Sequence, residues 1–143
     1  MFIGEYQHNL DEKGRLAVPA KFRADLKKGA VLTKEVDDCL SVYTKDEWAK
    51  YADKIAGLPT AKGDARAFAR LKLGSAMDVE MDGQGRMLIP EYLRQDTGLK
   101  KMVVIIGLYN RLEIWDEAKW NKYKNQTAAR SGRIAESLGE WGV

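Results

Sequence analysis

Asp, Gly and Arg recur at matched spacing in two segments, and these are the residue types that could do chemistry. The first segment spans residues 11–23 and the second spans residues 82–94. The identical pairs are Asp11 and Asp82, Gly14 and Gly85, Arg15 and Arg86, Pro19 and Pro90, and Arg23 and Arg94. An arginine carries five donors, so it can bind a phosphate or a base edge while it also pairs with a carboxylate. The segments therefore suggest an anion-binding surface, a pair of turns locked by ion pairs, or both.

Catalysis by these carboxylates and guanidiniums is the weaker interpretation. The chain has one histidine, His8, and one cysteine, Cys39, which excludes metal sites built from several of these ligands. It has no Gly-rich phosphate loop ending in Lys and no recognisable set of metal-binding carboxylates. We therefore expect no enzymatic activity, no cofactor and no metal. A single cysteine allows no intrachain disulfide, which is typical of a reducing cytoplasm.

Each segment predicts a turn followed by a strand and a short helix. Asp-x-x-Gly is turn chemistry, because Asp bonds nearby backbone groups and Gly tolerates a positive φ. Apolar residues then alternate, which predicts a half-buried strand after each turn. Pro19 and Pro90 are expected to close these strands and open helices reaching to about Lys28 and Thr97. A preceding strand near 6–10 or 77–81 would complete a β-hairpin with the turn at its tip.

A second repeated stretch supports an internal duplication. Residues 40–43 recur as residues 112–115, at an offset of 72, and each stretch runs into a helix start. Thr44 begins a capping box with Glu47, and Asp116 is a favourable N-cap. Aromatic residues follow at helical spacing, and we interpret them as core or interface rather than as a stacking platform for single-stranded nucleic acid. They are Trp48, Tyr51, Trp115, Trp120 and Tyr123.

The duplication sets the expected domain organisation. Residues 1–59 form the first unit, residues 60–75 a helical linker, residues 76–124 the second unit and residues 125–143 a C-terminal tail. In the linker, Arg66, Arg70 and Lys72 are predicted to lie off the apolar stripe. The tail carries Ile134, Leu138 and Trp141 at helical spacing, interrupted by glycines, which predicts a weak helix or an ordered tail.

The positive charge is concentrated in the first half of the chain. The formal net charge is +3, and residues 1–74 hold 14 Lys and Arg against 11 Asp and Glu. The first turn carries Lys13 beside Arg15, where the second turn has Gln84 beside Arg86. A basic bias is evidence about partners rather than fold, and it favours an anionic partner for the first turn. No apolar run approaches a membrane span, and we expect no secretion signal at the N-terminus.

The duplicated Asp-x-x-Gly-Arg-x-x-x-Pro segment, followed by strands and a capped helix, resembles the AbrB/SpoVT family of swapped-hairpin DNA-binding proteins. The resemblance implies an α+β fold with two tandem AbrB-like units of the swapped-hairpin β-barrel type, paired by pseudo-symmetry, each with a β-hairpin and short helices. The stretch from Met1 to Arg15 and the linker from Ala65 to Ala76 are similar to bacterial two-unit regulators of this family. A lone unit buries only a small core, which is a physical reason to pair two copies.

This resemblance implies a cytoplasmic, nucleoid-associated transcriptional regulator. Its partners would be double-stranded DNA, at short direct repeats in the promoter of the division and cell-wall gene cluster, and further copies of itself in a ring, with no membrane partner. The expected DNA-binding residues are Lys13, Arg15, Arg86, Lys21, Arg23 and Arg94, while Asp11, Gly14, Asp82 and Gly85 shape the turns. Arg15 could bind guanine edges or a phosphate, and both remain open. The alternative is a protein-interaction or antitoxin-like module on the same fold.

Overall fold

The chain folds into eight strands and five α-helices, and the computed structural model describes all residues 1–143. The strands are β1 (Phe2–Asn9), β2 (Arg15–Ala17), β3 (Ala30–Lys34), β4 (Leu40–Thr44), β5 (Met77–Val79), β6 (Arg86–Leu88), β7 (Met102–Tyr109) and β8 (Leu112–Asp116). The helices are α1 (Lys45–Ala56), α2 (Gly63–Gly74), α3 (Glu91–Thr97), α4 (Glu117–Ala128) and α5 (Ser131–Ser137). Two single 3-10 turns cover Ala20–Phe22 and Gly139–Trp141. The predicted α+β class is therefore confirmed at the level of its elements.

The strands form two antiparallel sheets that mix the two copies. The larger sheet has six strands in the order β1-β7-β8-β4-β3-β5, and the smaller pairs β2 with β6. All eight residues of β1 pair with β7, from Phe2 opposite Tyr109 to Asn9 opposite Met102. Strand β5 of the second copy likewise pairs with β3 of the first. Each copy therefore completes the sheet of the other.

This exchange corrects the hairpin predicted within each copy. Beside the first turn, Leu10, just after β1, forms an isolated bridge with Leu16 of β2, and beside the second turn Met81 forms the matching bridge with Met87. Beyond these bridges the chain leaves its own copy to pair with the other. Side-chain alternation gives the period of a strand but not its partner, so the sequence alone could not distinguish a local hairpin from an exchanged one.

The two predicted short helices differ in the structure. The second forms α3, and Gly98 ends it in the left-handed conformation at φ +66. The first is only a 3-10 turn over Ala20–Phe22, followed by further turns, so the prediction of a helix reaching Lys28 is wrong. Bonds spanning three residues dominate that stretch, such as Phe22 N–H to Pro19 O and Gly29 N–H to Leu26 O. These bonds give a tighter turn than an α-helix.

Helix caps are confirmed where the sequence predicts them. The Thr44 hydroxyl accepts a bond from Glu47 N–H at 3.1 Å and begins α1. The Asp116 carboxylate accepts a bond from Lys119 N–H at 3.3 Å and begins α4. Both helices follow directly from a strand, β4 or β8, so the caps fix the angle at which each helix leaves the sheet.

Helix α2 lies within the stretch interpreted as a linker, and it contains an unexpected buried cation. Lys72 is fully buried, so its predicted place off the apolar stripe is wrong. Its ammonium donates to Lys34 O at 2.9 Å and to Glu35 Oε1 at 2.5 Å, and it lies over the Tyr51 ring at 5.4 Å. A buried Lys needs such partners, because an unpaired charge is too costly to remove from water.

The core is shared by both copies. Eighteen buried apolar residues form one cluster that includes Leu16 and Phe22 from the first copy and Met87 and Leu93 from the second. A smaller cluster contains Cys39, Val104, Ile106 and Trp115, with Trp120 packed against it. Among the predicted aromatic core residues Trp115 is buried, Trp48, Tyr51 and Trp120 are half-buried and Tyr123 is exposed. No helix combines the length and the hydropathy that crossing a membrane would require.

Candidate nucleic-acid interface

The two aspartate turns have the same hydrogen-bonded geometry. Asp11 Oδ1 accepts from the backbone N–H groups of Lys13 and Arg15, each at 2.9 Å, and Oδ2 accepts from Arg15 Nε at 2.6 Å. Asp82 Oδ1 accepts from the N–H groups of Gln84 at 2.9 Å and Arg86 at 3.0 Å, and Oδ2 accepts from Arg86 Nε at 2.8 Å. Each aspartate thus fixes its turn and orients its arginine.

The electrostatics of both turns favour the ionised carboxylates. The Arg15 backbone N–H, followed by its guanidinium and the Lys13 N–H, lowers the pKa of Asp11. The Arg86 backbone N–H, followed by the Gln84 N–H and the Arg86 guanidinium, lowers the pKa of Asp82. Hydrogen bonds to a carboxylate favour its charged form. Both aspartates therefore act as structural anchors, and their negative charge is partly compensated before any anionic partner approaches.

Strands β2 and β6 bring the two arginines onto one surface. Arg15 pairs with Leu88, Leu16 with Met87 and Ala17 with Arg86. Leu16 and Met87 are both 1% exposed and enter the core. Because side chains alternate across a strand, the other face carries Arg15, Ala17, Arg86 and Leu88. We call this outward face of the two strands the arginine ribbon.

The arginine ribbon leaves donors available at both ends. Each guanidinium bonds its aspartate through Nε, which leaves the two Nη groups without a hydrogen bond to the protein. The Arg15 side chain is 31% exposed and that of Arg86 is 28% exposed. Arg15 and Arg86 lie diagonally across the pair, at a separation of about 7–8 Å between backbones for such neighbours. The surface therefore presents two oriented cationic forks with an exposed leucine, Leu88, beside them.

Arg23 and Arg94 lie under the turns and tie the copies together. Arg23 Nε donates to Val18 O at 2.9 Å, and Arg94 Nε donates to Ile89 O at 3.0 Å. A Cβ at Gly14 would lie 2.5 Å from Arg94 Cζ, and a Cβ at Gly85 would lie 2.5 Å from Arg23 Nε. Each arginine thus covers the turn glycine of the other copy. Both glycines also have positive φ values, +83 and +76.

Backbone bonds reinforce this interlock. Val18 N–H donates to Gly85 O at 2.9 Å, and Ile89 N–H donates to Gly14 O at 3.0 Å. The missing side chain at each glycine therefore permits both the close approach of an arginine and the bond to a backbone carbonyl. The sequence marks these glycines as turn residues but gives no sign of the contact between copies.

The two predicted lysines lie in different surroundings. Lys13 is exposed at the first turn, and its side chain takes part in no hydrogen bond or ion pair with the protein. Lys21 lies with its Nζ 5.0 Å from the centroid of the Tyr6 ring and 5.2 Å from that of Phe22. Lys13 therefore belongs to the same surface as the first turn, whereas Lys21 lies along the middle of β1.

Sequence reasoning missed two lysines at the first turn. Leu10 N–H donates to Lys101 O at 2.8 Å, which brings Lys100 and Lys101 beside Asp11. Together with Arg94 they line a shallow cleft against this turn. Both lysines follow α3 in the second copy, and only the exchange of strands brings them to the first turn. No local pattern could have indicated this, since a basic pair after a helix also suits a helix C-terminus.

Comparisons with known proteins agree on one family. The family model described as "MraZ protein, putative antitoxin-like" matches the chain twice, over residues 1–71 and 73–137. A protein named transcriptional regulator MraZ from Natranaerobius thermophilus is 46% identical over 143 residues, covering all of both chains. Proteins of the same name from Caldanaerobacter subterraneus subsp. tengcongensis and Acetivibrio thermocellus are each 44% identical over 143 residues, again covering all of both chains.

Proposed function

The chain belongs to the MraZ family, and from this premise we propose that it is a transcriptional regulator that binds double-stranded DNA through the arginine ribbon. The observation that carries the proposal is the pair of outward guanidiniums, Arg15 and Arg86, each oriented by an aspartate and each with free Nη donors. A two-stranded β-ribbon fits the width of the major groove. An oriented arginine fork can donate two bonds to a guanine edge or to a phosphate.

The fold class of this proposal is a pair of AbrB-like units that exchange hairpin strands. Its support is the antiparallel pairing of β2 with β6 and the reciprocal bonds between the turns. We propose units at residues 1–59 and 76–124, joined by residues 60–75 and followed by the tail 125–143. Pseudo-symmetric pairing within one chain would then give the protein two DNA-contacting turns with their strands, as a dimer of single units would have.

The remaining contacts are proposed as positioning contacts on phosphates. Lys13 lies in the first turn and Lys100 and Lys101 lie beside it, and their charges are suited to the backbone of a duplex rather than to its bases. Arg23 and Arg94 use Nε internally, so only their remaining donors would face DNA. Lys21, on β1, would be a peripheral contact. The first turn would therefore contribute more affinity than the second.

The biological setting follows the family resemblance. We propose binding to short direct repeats in the promoter of the division and cell-wall gene cluster, by a cytoplasmic, nucleoid-associated protein. A single chain of net charge +3 makes few phosphate contacts. A ring of several chains on tandem repeats would raise affinity through effective concentration, and it would make binding strongly dependent on salt.

Duplex-binding titrations test the proposal. The DNA upstream of the protein's own gene is titrated with wild type, Arg15→Ala, Arg15→Lys and Arg86→Ala, at two salt concentrations. We expect Arg15→Ala to weaken binding by about 1–3 kcal/mol, the usual range for a bidentate base contact. If Arg15 binds a base edge, Arg15→Lys also loses discrimination against a scrambled duplex. If it binds phosphate, Arg15→Lys retains most affinity.

A matched control removes a positive charge elsewhere. Lys122→Ala on α4 changes the net charge by the same amount at an exposed position away from the ribbon. Its affinity should stay within about twofold of wild type, since a distant exposed charge is largely screened. If Lys122→Ala and Arg15→Ala lose equal DNA affinity, the effect is one of net charge alone. That result would refute binding through the ribbon.

A protein-interaction or antitoxin-like role is the second candidate, and the tail favours it. Leu138, Trp141 and Val143 are exposed in the C-terminal segment, and Trp141 is 74% exposed. Exposed apolar groups that lie close together are typical of interaction sites. Co-purification of a stoichiometric partner protein, lost on deletion of residues 129–143, would support this role. Duplex binding without such a partner would favour DNA binding alone.

A further inference from the structure

The internal duplication gives the molecule two clefts at related positions, and different residues line them. The first, which we call the junction cleft, lies between α1 and the β7–β8 turn, so the first copy supplies one wall and the second copy the other. The second, which we call the mirror cleft, lies between α4 and the β3–β4 turn. Tyr43 and Tyr51 of the junction cleft correspond to Trp115 and Tyr123 of the mirror cleft, each at an offset of 72.

The junction cleft contains a buried hydroxyl without a protein partner. Tyr43 is 4% exposed and lines this cleft, stacked on Tyr51 at 5.5 Å between ring centroids. The Ser41 hydroxyl lies near it on the same face of β4 and donates to Glu35 Oε1 at 2.7 Å, but the Tyr43 hydroxyl makes no hydrogen bond of good geometry with the protein. No fully enclosed side-chain N or O atom in the protein lacks a partner. The Tyr43 hydroxyl therefore opens into the cleft.

The carboxylates of the junction cleft are already paired. Glu35 accepts from the buried Lys72 ammonium at 2.5 Å, and Glu47 accepts from Lys50 at 3.1 Å. The remaining polar groups are donors. Lys54 forms no ion pair, and Arg111 makes only a 3.2 Å bond to its neighbour Asn110 and a 3.7 Å contact with Glu113. Two phenols and two cations thus face the same space.

The mirror cleft has a different set of polar groups. Its turn supplies Asp37 and Asp38 where the junction cleft has Asn110 and Arg111. Trp115 replaces Tyr43, and its indole N–H already donates to Glu113 Oε1 at 3.0 Å. The junction cleft is lined by three cations and two carboxylates, whereas the mirror cleft is lined by two of each, Lys119 and Lys122 with Asp37 and Asp38. The two clefts therefore share an architecture but differ in net charge and in free donors. The extra cation and the free donors favour an anionic ligand in the junction cleft over the mirror cleft.

From these contrasts we propose that the junction cleft binds a small oxyanion, a phosphate- or carboxylate-bearing metabolite, through Arg111, Lys54 and the Tyr43 hydroxyl. Its volume is about 300 Å³. That is at the lower limit for small-molecule sites, which commonly lie between domains. Arg111 belongs to the second copy and Tyr43 to the first, so the bound anion bridges the copies. This proposal does not depend on DNA binding.

Four tryptophans make the test specific to each cleft. The full-length protein is labelled with 5-fluorotryptophan and titrated with inorganic phosphate, and separately with succinate, at constant ionic strength. Trp48 lies 5.6 Å from Tyr43 and reports on the junction cleft, whereas Trp115 lines the mirror cleft and Trp141 is exposed. We expect a saturable shift of the Trp48 fluorine resonance, with Trp115 and Trp141 unchanged. The probe that saturates identifies phosphate or carboxylate as the recognised group.

Conservative variants distinguish specific binding in the junction cleft from nonspecific association of the anion with the protein surface. Tyr43→Phe removes one hydroxyl and should weaken binding about 5-fold, whereas Arg111→Gln should weaken it about 10-fold or more. Lys122→Gln, the counterpart of Lys50 in the mirror cleft, should leave binding unchanged. Intact resonances of Trp115 and Trp120 verify folding in each variant. The proposal is overturned if neither probe gives a saturable Trp48 shift, or if the affinity is the same in Tyr43→Phe, Arg111→Gln and wild type.

Discussion

At the residue scale, four arginines of the duplicated motif divide into two structural roles. Arg15 and Arg86 bond their own aspartates and face outward, whereas Arg23 and Arg94 bond carbonyls and cover a glycine of the other copy. The Nε atom is engaged in all four, so position on the ribbon decides which fork is free to bind. The four matched arginines of the sequence therefore divide into one pair that faces outward on the ribbon and one pair that holds the turns of the two copies together.

The turn glycines give a prediction at this scale. Gly14→Ala would force an L-residue into φ +83 and would bring its Cβ within 2.5 Å of Arg94 Cζ. We expect a loss of about 1–3 kcal/mol in the free energy of unfolding, from backbone strain and the displaced arginine. Gly83→Ala is the matched control, because no atom lies within 4 Å of its added Cβ. Urea denaturation would contradict this account if both variants matched wild type.

The sequence predicted the local residues of the candidate site, but it did not predict the distant residues that the fold brings beside them. Asp-x-x-Gly-Arg is a local pattern, so its turn and its ion pair follow from residues close in the chain. Lys100 and Lys101 were missed because the hydrogen bond from Leu10 N–H to the Lys101 carbonyl, distant in the chain, brings them to the first turn. The DNA-binding role of all these residues remains a prediction.

At the element scale, helix α2 does more than connect the units. The Thr33 hydroxyl donates to Lys72 O at 2.5 Å, and the Lys72 side chain bonds Lys34 O and Glu35, so the last turn of α2 is fixed to β3 and its following turn. Burial raises the pKa of Glu35, but the bonds from Lys72 and Ser41 outweigh that effect and lower it overall. The Glu35 carboxylate is therefore favoured in its charged form within the fold.

This buried pair predicts a large and specific effect of substitution. Lys72→Met leaves the Glu35 carboxylate without its cation, which costs about 3–5 kcal/mol in comparable buried pairs. Adding Glu35→Gln to Lys72→Met should recover part of that loss, since no buried charge remains. Arg70→Met on the exposed part of α2 is the control and should change stability little. Chemical denaturation showing equal losses for Lys72→Met and Arg70→Met would contradict the structural role of α2.

Hydrophobic periodicity predicted most helices and strands. It failed where tertiary contacts determine the local structure or the burial of a side chain. The capped helices and the strands β3, β4 and β8 follow from local caps and alternation. The helix predicted after Pro19 is replaced by turns, although the matched α3 forms. The prediction that Lys72 lies off the apolar stripe is wrong, because the Glu35 carboxylate, the Lys34 carbonyl and the Tyr51 ring make its burial possible.

At the scale of the whole molecule, the two copies form a single folding unit. Strand β1 pairs with β7 over its whole length, β2 pairs with β6, and the main core draws on both copies. Neither copy alone retains a partner for its first two strands. Side-chain alternation predicts a strand but not its partner over such sequence distances, so an exchange of strands was expected only from the resemblance to swapped-hairpin proteins.

Fragments test this interdependence. Residues 1–74 or 75–143 expressed alone should lack cooperative unfolding, because each loses its partner strands and half of the shared core. Mixing the two fragments should restore native-like circular dichroism and a cooperative transition. A fragment that unfolds cooperatively alone, at a midpoint close to that of the full chain, would contradict the exchange of strands as the basis of stability.

The most direct test of the central proposal is crosslinking from the arginine ribbon to DNA. Leu88→Cys places a thiol on the exposed face beside Arg15, while burial raises the pKa of the native Cys39 thiol and keeps it unreactive. A thiol-attached photocrosslinker at position 88 should link to the promoter duplex, and the same reagent on Val36→Cys, in the exposed β3–β4 turn, should not. Crosslinking from Val36→Cys but not from Leu88→Cys would show that DNA binds elsewhere and would contradict the proposal.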